Sequence, residues 1–194
     1  GGEDFVTFID DFFNNDVKED YDLSGFDFKL YDHVGKMRDD ILILDNKHKL
    51  ARLVAGFAWP WKSRGKEQDY DIELDGQKLK WNSTNQGWIN SKNSVNEVGC
   101  IHTVQGYDLN YVGVIIGPEL SYDLEKNKFI INKDAYCDVN GMRGISDPLE
   151  LEKYILNIYK VLLTRGIKGA YVYIVDDGLR THFERSIKSV ISKS

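Results

Sequence analysis

The sequence predicts an α/β domain: a mostly parallel sheet flanked by helices, with inserted β-hairpins. Three observations carry this. The runs ARLVAGFAW, YVGVIIG and AYVYIV are apolar without polar alternation, as strands buried on both faces are. Stretches of helical period separate them, and such alternation is the pattern of βαβ units. Two polar-tipped alternating segments interrupt the series and read as hairpins.

In chain order, Asp4 to Phe13 places Phe5, Phe8, Ile9, Phe12 and Phe13 at a period near 3.6, a helix with one apolar face. NNDVKEDYDLSG follows as an acidic connector, and FDFKLY (26–31) alternates as a short strand. Met37, Ile41 and Leu44 space out a second helix before the strand at 51–59. DYDIELDGQKLKW carries Asp75-Gly76 between alternating runs, a hairpin near 70–81. VGCIH and YVGVIIG are two further strands, separated by the polar TVQGYDLN. SYDLEKNKFIINK is a second hairpin near 121–133, most simply on the surface. Asp147-Pro148-Leu149-Glu150 puts a carboxylate at N-cap and proline at N1. Leu151, Ile155, Ile158 and Leu162 continue that helix, and Gly166 reads as its stop. After the strand AYVYIV, Leu179, Phe183, Ile187 and Val190 mark a final helix.

Composition narrows the class. At 194 residues, 42% hydrophobic and 29% charged, the chain suits one sizeable globular domain. No run reaches the ~18 apolar residues of a membrane span, and the acidic start is no signal peptide. Cys100 and Cys137 alone make neither a disulfide framework nor a zinc site, so a reducing cytoplasm is the expected setting, with no membrane partner. The net charge of −6 is uneven: residues 1–45 hold thirteen acids against four bases, and the remainder is slightly basic. That argues against general coating of nucleic acid while leaving the larger part free to meet phosphates.

Two polar constellations interrupt the apolar pattern: His102, Thr103, Gln105, Gly106 and Asp108, and the pair Thr164-Arg165. Ligands of open α/β sheets collect beyond the carboxyl ends of strands, and both are expected there. Arg165 reads either as a preorganised fork for phosphate or as a cation favouring a helix C-terminus, worth about 0.3–1 kcal/mol. Trp59-Pro60-Trp61-Lys62-Ser63-Arg64 follows a strand at the same edge. Its aromatics and cations suit base stacking and phosphate contact, although at least one tryptophan is expected to pack under the adjoining hairpin. His102 lacks a His or Cys partner at metal spacing, and no metal site is expected. Asp176-Asp177 reads as an N-cap followed by a solvated acid.

IHTVQGYDLNYVGVIIG resembles the superfamily 1 helicase stretch in which a Thr-x-His-x-x-Gln-Gly-x-(Glu/Asp) loop follows a core strand. YKVLLTRGIKGAYVYIV resembles that superfamily's later Thr-Arg stretch. With ARLVAGFAWPWKSR, they make the chain similar to the bacterial Schlafen group 3-like DNA/RNA helicase family. The resemblance implies a second RecA-like domain over residues 23–194, with residues 1–22 attached from the preceding domain. No GxxxxGK[ST] loop occurs in the sequence, so the P-loop would lie in that upstream N-terminal domain. ATP and Mg²⁺ would then be held mainly there, this chain alone holding no cofactor and hydrolysing no ATP. By the same resemblance, Arg165 would act as an arginine finger on the γ-phosphate. Gln105, Gly106 and Thr164 would sit near the nucleotide, and Asp108 would meet its ribose. His102 and Thr103 would face single-stranded or duplex nucleic acid, joined by Trp61, Lys62 and Arg64, although Lys62 or Arg64 could instead approach the nucleotide. Cys100, Lys160 and Gly166 depart from the pattern. A module that keeps the fold and only binds nucleic acid or protein is the alternative. A metal-dependent nuclease would need a carboxylate cluster that the sequence does not assemble.

Overall fold

Residues 2–18, 20–64 and 69–191 are described in a computed structural model. In order they form α1 (Glu3–Phe13), β1 (Asp27–Tyr31), α2 (Val34–His48), β2 (Ala51–Ala55), β3 (Ile72–Leu74), β4 (Gln77–Leu79), β5 (Val98–Cys100), α3 (Ile101–Val104), β6 (Leu109–Ile116), β7 (Leu120–Asp123), β8 (Lys128–Ile131), α4 (Pro148–Leu163), β9 (Gly166–Ile174) and α5 (Asp177–Ile191). Five strands make one parallel sheet in the order β1-β9-β6-β2-β5. β3-β4 and β7-β8 are separate antiparallel hairpins. The arrangement is RecA-like.

The pleat divides the core in two. Val112, Val114, Ile116, Ala170, Val172 and Ile174 point to a layer of α1, α4 and α5. Leu53, Ala55, Ile115, Tyr171 and Tyr173 point to α2 and the β3-β4 hairpin. α1, expected with its connector to come from a preceding domain, packs into the first layer. Phe5, Phe8, Ile9, Phe12 and Phe13 are all buried while Val6 is exposed, and Phe5 stacks on Phe26 at 4.2 Å between ring centroids. The β7-β8 hairpin is no surface appendage either. Leu120, Tyr122 and Phe129 are buried, and the His182 ring of α5 stacks on Tyr122 at 3.8 Å and on Phe12 at 4.9 Å. Alternation reports that one face of a hairpin is apolar; only the tertiary fold reports what covers it.

Local signals read from sequence hold at several ends. Asp147 caps α4 by accepting from the Leu149 N–H at 3.0 Å, and Asp176 accepts from the Leu179 N–H at 2.6 Å while Asp177 stays exposed. The end of α4 differs from expectation. Thr164 is its C-cap, and Gly166 already opens β9, where an added Cβ would overlap the Gly169 carbonyl. Glycine stands there for close backbone approach.

Two connections matter for the site. β2 leads outward to β5, whereas β6 leads the other way to β9, so the topological switch point lies between β2 and β6. The link from β5 to β6, residues 101–108, must recross the whole sheet. Cys100 is level with Ala55, which is level with Ile115, and Leu109 lies six residues earlier on β6. That is about 20 Å along the strands. The polar stretch between the two apolar runs is therefore a crossover joining opposite edges.

Candidate functional site at two edges of the sheet

The crossover separates the expected residues. Gly106 and Asp108 lie toward its far end, before the start of β6, Gln105 caps α3 between the two ends, and Thr164-Arg165 precede the start of β9, which pairs with β6 there. Both groups therefore sit at the amino edge, not beyond the carboxyl ends. Only His102, one turn after β5, and the Trp59–Arg64 loop after β2 belong to the carboxyl edge. Local sequence gave the residues but not the direction in which the link runs.

At the amino edge, Arg165 is held on three sides. Its carbonyl accepts from the Leu109 N–H at 2.9 Å, its Nε donates to the Val161 carbonyl at 3.3 Å, and Nη1 lies 3.9 Å from Asp108 Oδ1. The side chain is 24% exposed, so the guanidinium is fixed yet reachable. The Thr164 hydroxyl donates to the Lys160 carbonyl at 2.8 Å and closes the last turn of α4. Lys160 itself reaches Asp10 of α1 at 2.6 Å, which accounts for a cation at that position. Gln105 is exposed and lines a small cleft with His102, Tyr154 and Val161, while Gly106 turns the chain at φ +85°. The end of α2 brings Lys47, His48 and Lys49 to this edge, and β9 brings Lys168. His48 is held below its ordinary value by desolvation first, then by Lys168 and Lys47.

At the carboxyl edge, the switch-point crevice is filled. Glu119 is fully buried directly behind β6, and the Tyr159 hydroxyl donates to its Oε1. Tyr159 in turn accepts from the Gly117 N–H at 2.9 Å. A Cβ on Gly56 or Gly117 would overlap this pair, so both strand ends carry glycine to admit it. Glu119 Oε2 has no hydrogen-bond partner among the described residues, and burial pushes the carboxyl up to about 7 against the Tyr159 hydrogen bond. The place where such sheets usually receive a ligand is occupied by the chain's own acid.

Around this plug, His102 Nε2 meets Asp138 Oδ2 at 2.7 Å; the imidazole is half-exposed and the carboxylate nearly buried. Thr103, expected to face nucleic acid, is buried, and its hydroxyl donates to the Cys100 carbonyl at 2.8 Å. That expectation is corrected: Thr103 secures the first turn of α3. Burial also pushes the Cys100 thiol up, which leaves it without nucleophilic character. Trp59 and Trp61 are both partly exposed, whereas Trp81 and Trp88 are the buried pair. Lys62 and Arg64 are exposed, with Arg64 Cζ 5.7 Å from the Trp61 ring centroid. Among the described residues, no three His, Cys, Asp or Glu side chains group to hold a metal ion, and no helix is long and apolar enough to cross a membrane.

The Schlafen group 3, DNA/RNA helicase domain family matches residues 1–176. The chain belongs to that family. It is also similar to the uncharacterized protein YPL245W of Saccharomyces cerevisiae (strain ATCC 204508 / S288c), 33% identical over 184 residues, or 90% of this chain. The chain spans 40% of that yeast protein's length. No solved structure matches it. In this Schlafen group 3 helicase-like domain, the matched region runs from α1 through β9, so both edges lie within it. Sequence reasoning missed Asp138 and Glu119. A carboxylate directly behind the apolar β6 was the one signal for Glu119; for Asp138, in an irregular stretch, there was none.

Proposed function

We propose that this chain is the second RecA-like half of a nucleic-acid-dependent ATPase or helicase. A P-loop domain elsewhere in the same protein would hold most of the ATP and Mg²⁺. The observation that supports it best is the approach of Asp108 to Arg165 at one cationic edge, with His102 and Gln105 on the crossover that leads to it. The amino edge offers a fixed charge, and the switch-point crevice is filled by Glu119. The residues present therefore fit a group supplied to a neighbouring nucleotide site. When bound, ATP supplies the phosphoryl group that water attacks. Arg165 offsets negative charge there, Gln105 and Gly106 sense the nucleotide, and Asp108, which already holds Arg165, meets the ribose. His102, Trp61, Lys62 and Arg64 contact single-stranded or duplex nucleic acid at the opposite edge. Two free cysteines suit a cytoplasmic setting.

The test is nucleic-acid-stimulated ATPase of the intact protein. Arg165→Ala is expected to lower turnover by about 10³-fold or more while nucleotide binding survives. Equal turnover in the two proteins removes the finger assignment and favours a module that binds without a motor.

A further inference from the structure

Beyond the edge strand β5, between the Trp59–Arg64 loop and residues 82–97, lies an open cavity of about 880 Å³. Trp61, Arg64, Asn82, Asn93, Asn96 and Glu97 contribute to its lining. Its volume is that of a small-molecule site, but its walls are unusually polar.

The walls are built, not incidental. Asp71, 3% exposed, clamps the loop by accepting from the Ser63 N–H at 2.7 Å, the Ser63 hydroxyl at 2.6 Å and the Trp81 N–H at 2.8 Å. Trp61 is thereby held part-exposed, its ring centroid 6.1 Å from that of Phe57 and 5.7 Å from Arg64 Cζ. Asn82 is fully buried; it accepts from the Cys100 N–H at 3.3 Å and donates to the Thr84 carbonyl at 3.1 Å. Glu97 is 8% exposed. Its Oε2 accepts from Trp88 Nε1 at 2.7 Å and from the Ser83 N–H at 3.0 Å, while Oε1 accepts from none of the described residues. A nearly buried carboxylate, fixed through one oxygen and unspent at the other, lines the same cavity as an accessible indole and an arginine.

We propose that this cavity receives one base of a single strand and prefers guanine to thymine or uracil. The proposal rests on the nucleic-acid reading of the Trp61–Arg64 loop and adds a base-reading site to it. Stacking on Trp61 serves any base, and Arg64 meets the adjoining phosphate. Glu97 Oε1 discriminates, because a carboxylate oxygen only accepts. Guanine turns two adjacent donors, N1–H and the N2 amino group, toward it. Thymine and uracil flank their single N–H with two carbonyl oxygens, which the carboxylate repels. The Asn93 and Asn96 amides take either role and complete the edge.

The test compares a thymidine hexamer with one in which a central residue is dG, binding to the intact protein, with Trp61 fluorescence or its indole N–H resonance as the local probe. The guanine is expected to tighten binding about tenfold, the size of one good base contact. Glu97→Gln keeps an oxygen for Trp88 and Ser83 but turns a donor to the base, and should abolish the gain. Trp61→Leu, at a part-exposed site, should weaken both hexamers alike. Equal binding of the two hexamers overturns the pocket while leaving the motor reading intact, as does a Trp61 signal that the guanine fails to move. Failure of both hexamers to bind at all removes the nucleic-acid reading itself.

Discussion

His102 Nε2 and Asp138 Oδ2 lie 2.7 Å apart, although 36 residues separate them in the chain. Asp138 is also tied to its own loop, accepting from the Gly141 N–H at 2.8 Å. The imidazole is thus aimed by a carboxylate that solvent barely reaches. Asp138→Asn is expected to keep the fold and lose the aim. Oligonucleotide affinity of the intact protein should fall about as far as in His102→Ala, with the double variant no worse than either. Additive losses would show that the two residues act separately.

Glu119 and His182 predict opposed pH effects on stability. Glu119 titrates near 7 in the fold against an ordinary 4.5, so the folded state holds the extra proton in that window. Its contribution is present at low pH and is lost as pH rises through about 7, on the order of 2–4 kcal/mol. His182, desolvated among Phe12, Tyr122 and Phe129 and beside Arg185, is pushed down to about 4 from 6.5. The unfolded chain takes that proton first, so stability falls as pH drops from 6.5 toward 4. With a half-buried ring, the effect is discounted for screening to about 1–2 kcal/mol. Between pH 4.5 and 6.5 the His182 effect partly offsets that of Glu119. Denaturant midpoints of Glu119→Gln should therefore rise with pH across this window, and those of His182→Phe should fall. Parallel curves in both variants would contradict the assignment.

Gly166→Ala tests the tight start of β9. The new methyl would overlap the Gly169 carbonyl and lie 3.2 Å from Val112 Cγ1. Neither is the end of a flexible side chain that can swing away. A loss of about 1–3 kcal/mol in unfolding free energy is expected, read by thermal or denaturant melts. A variant as stable as the parent would mean that β9 shifts freely.

Particular residues show what the sequence could reveal. Phe5, Phe8 and Phe12 share a helical face whatever surrounds them, and Asp75-Gly76 turns a hairpin through its own backbone, at φ 50° and 74°. Both are local facts. Arg165, Gln105 and Asp108 were legible as a set through a family pattern, but their edge was not, because it depends on which way residues 101–108 run. Asp138 acts through a residue 36 positions away, and Glu119 is buried by Tyr159, forty positions on. Residues 82–97 have no period at all; their order comes from Glu97 gripping Trp88 and Ser83.

The crossover has one more consequence. To pass from Cys100 to Leu109 the chain covers about 20 Å along the strands and two strand spacings, about 10 Å, sideways. One turn of α3 advances about 6 Å, and the turn from Val104 to Tyr107 spans less than about 7 Å. Almost no slack remains. A tether this short cannot absorb a displacement of His102 at one end without pulling, through Gln105, on Asp108 at the other. Two glycines inserted after Gly106 would supply that slack and are expected to uncouple His102 from Asp108.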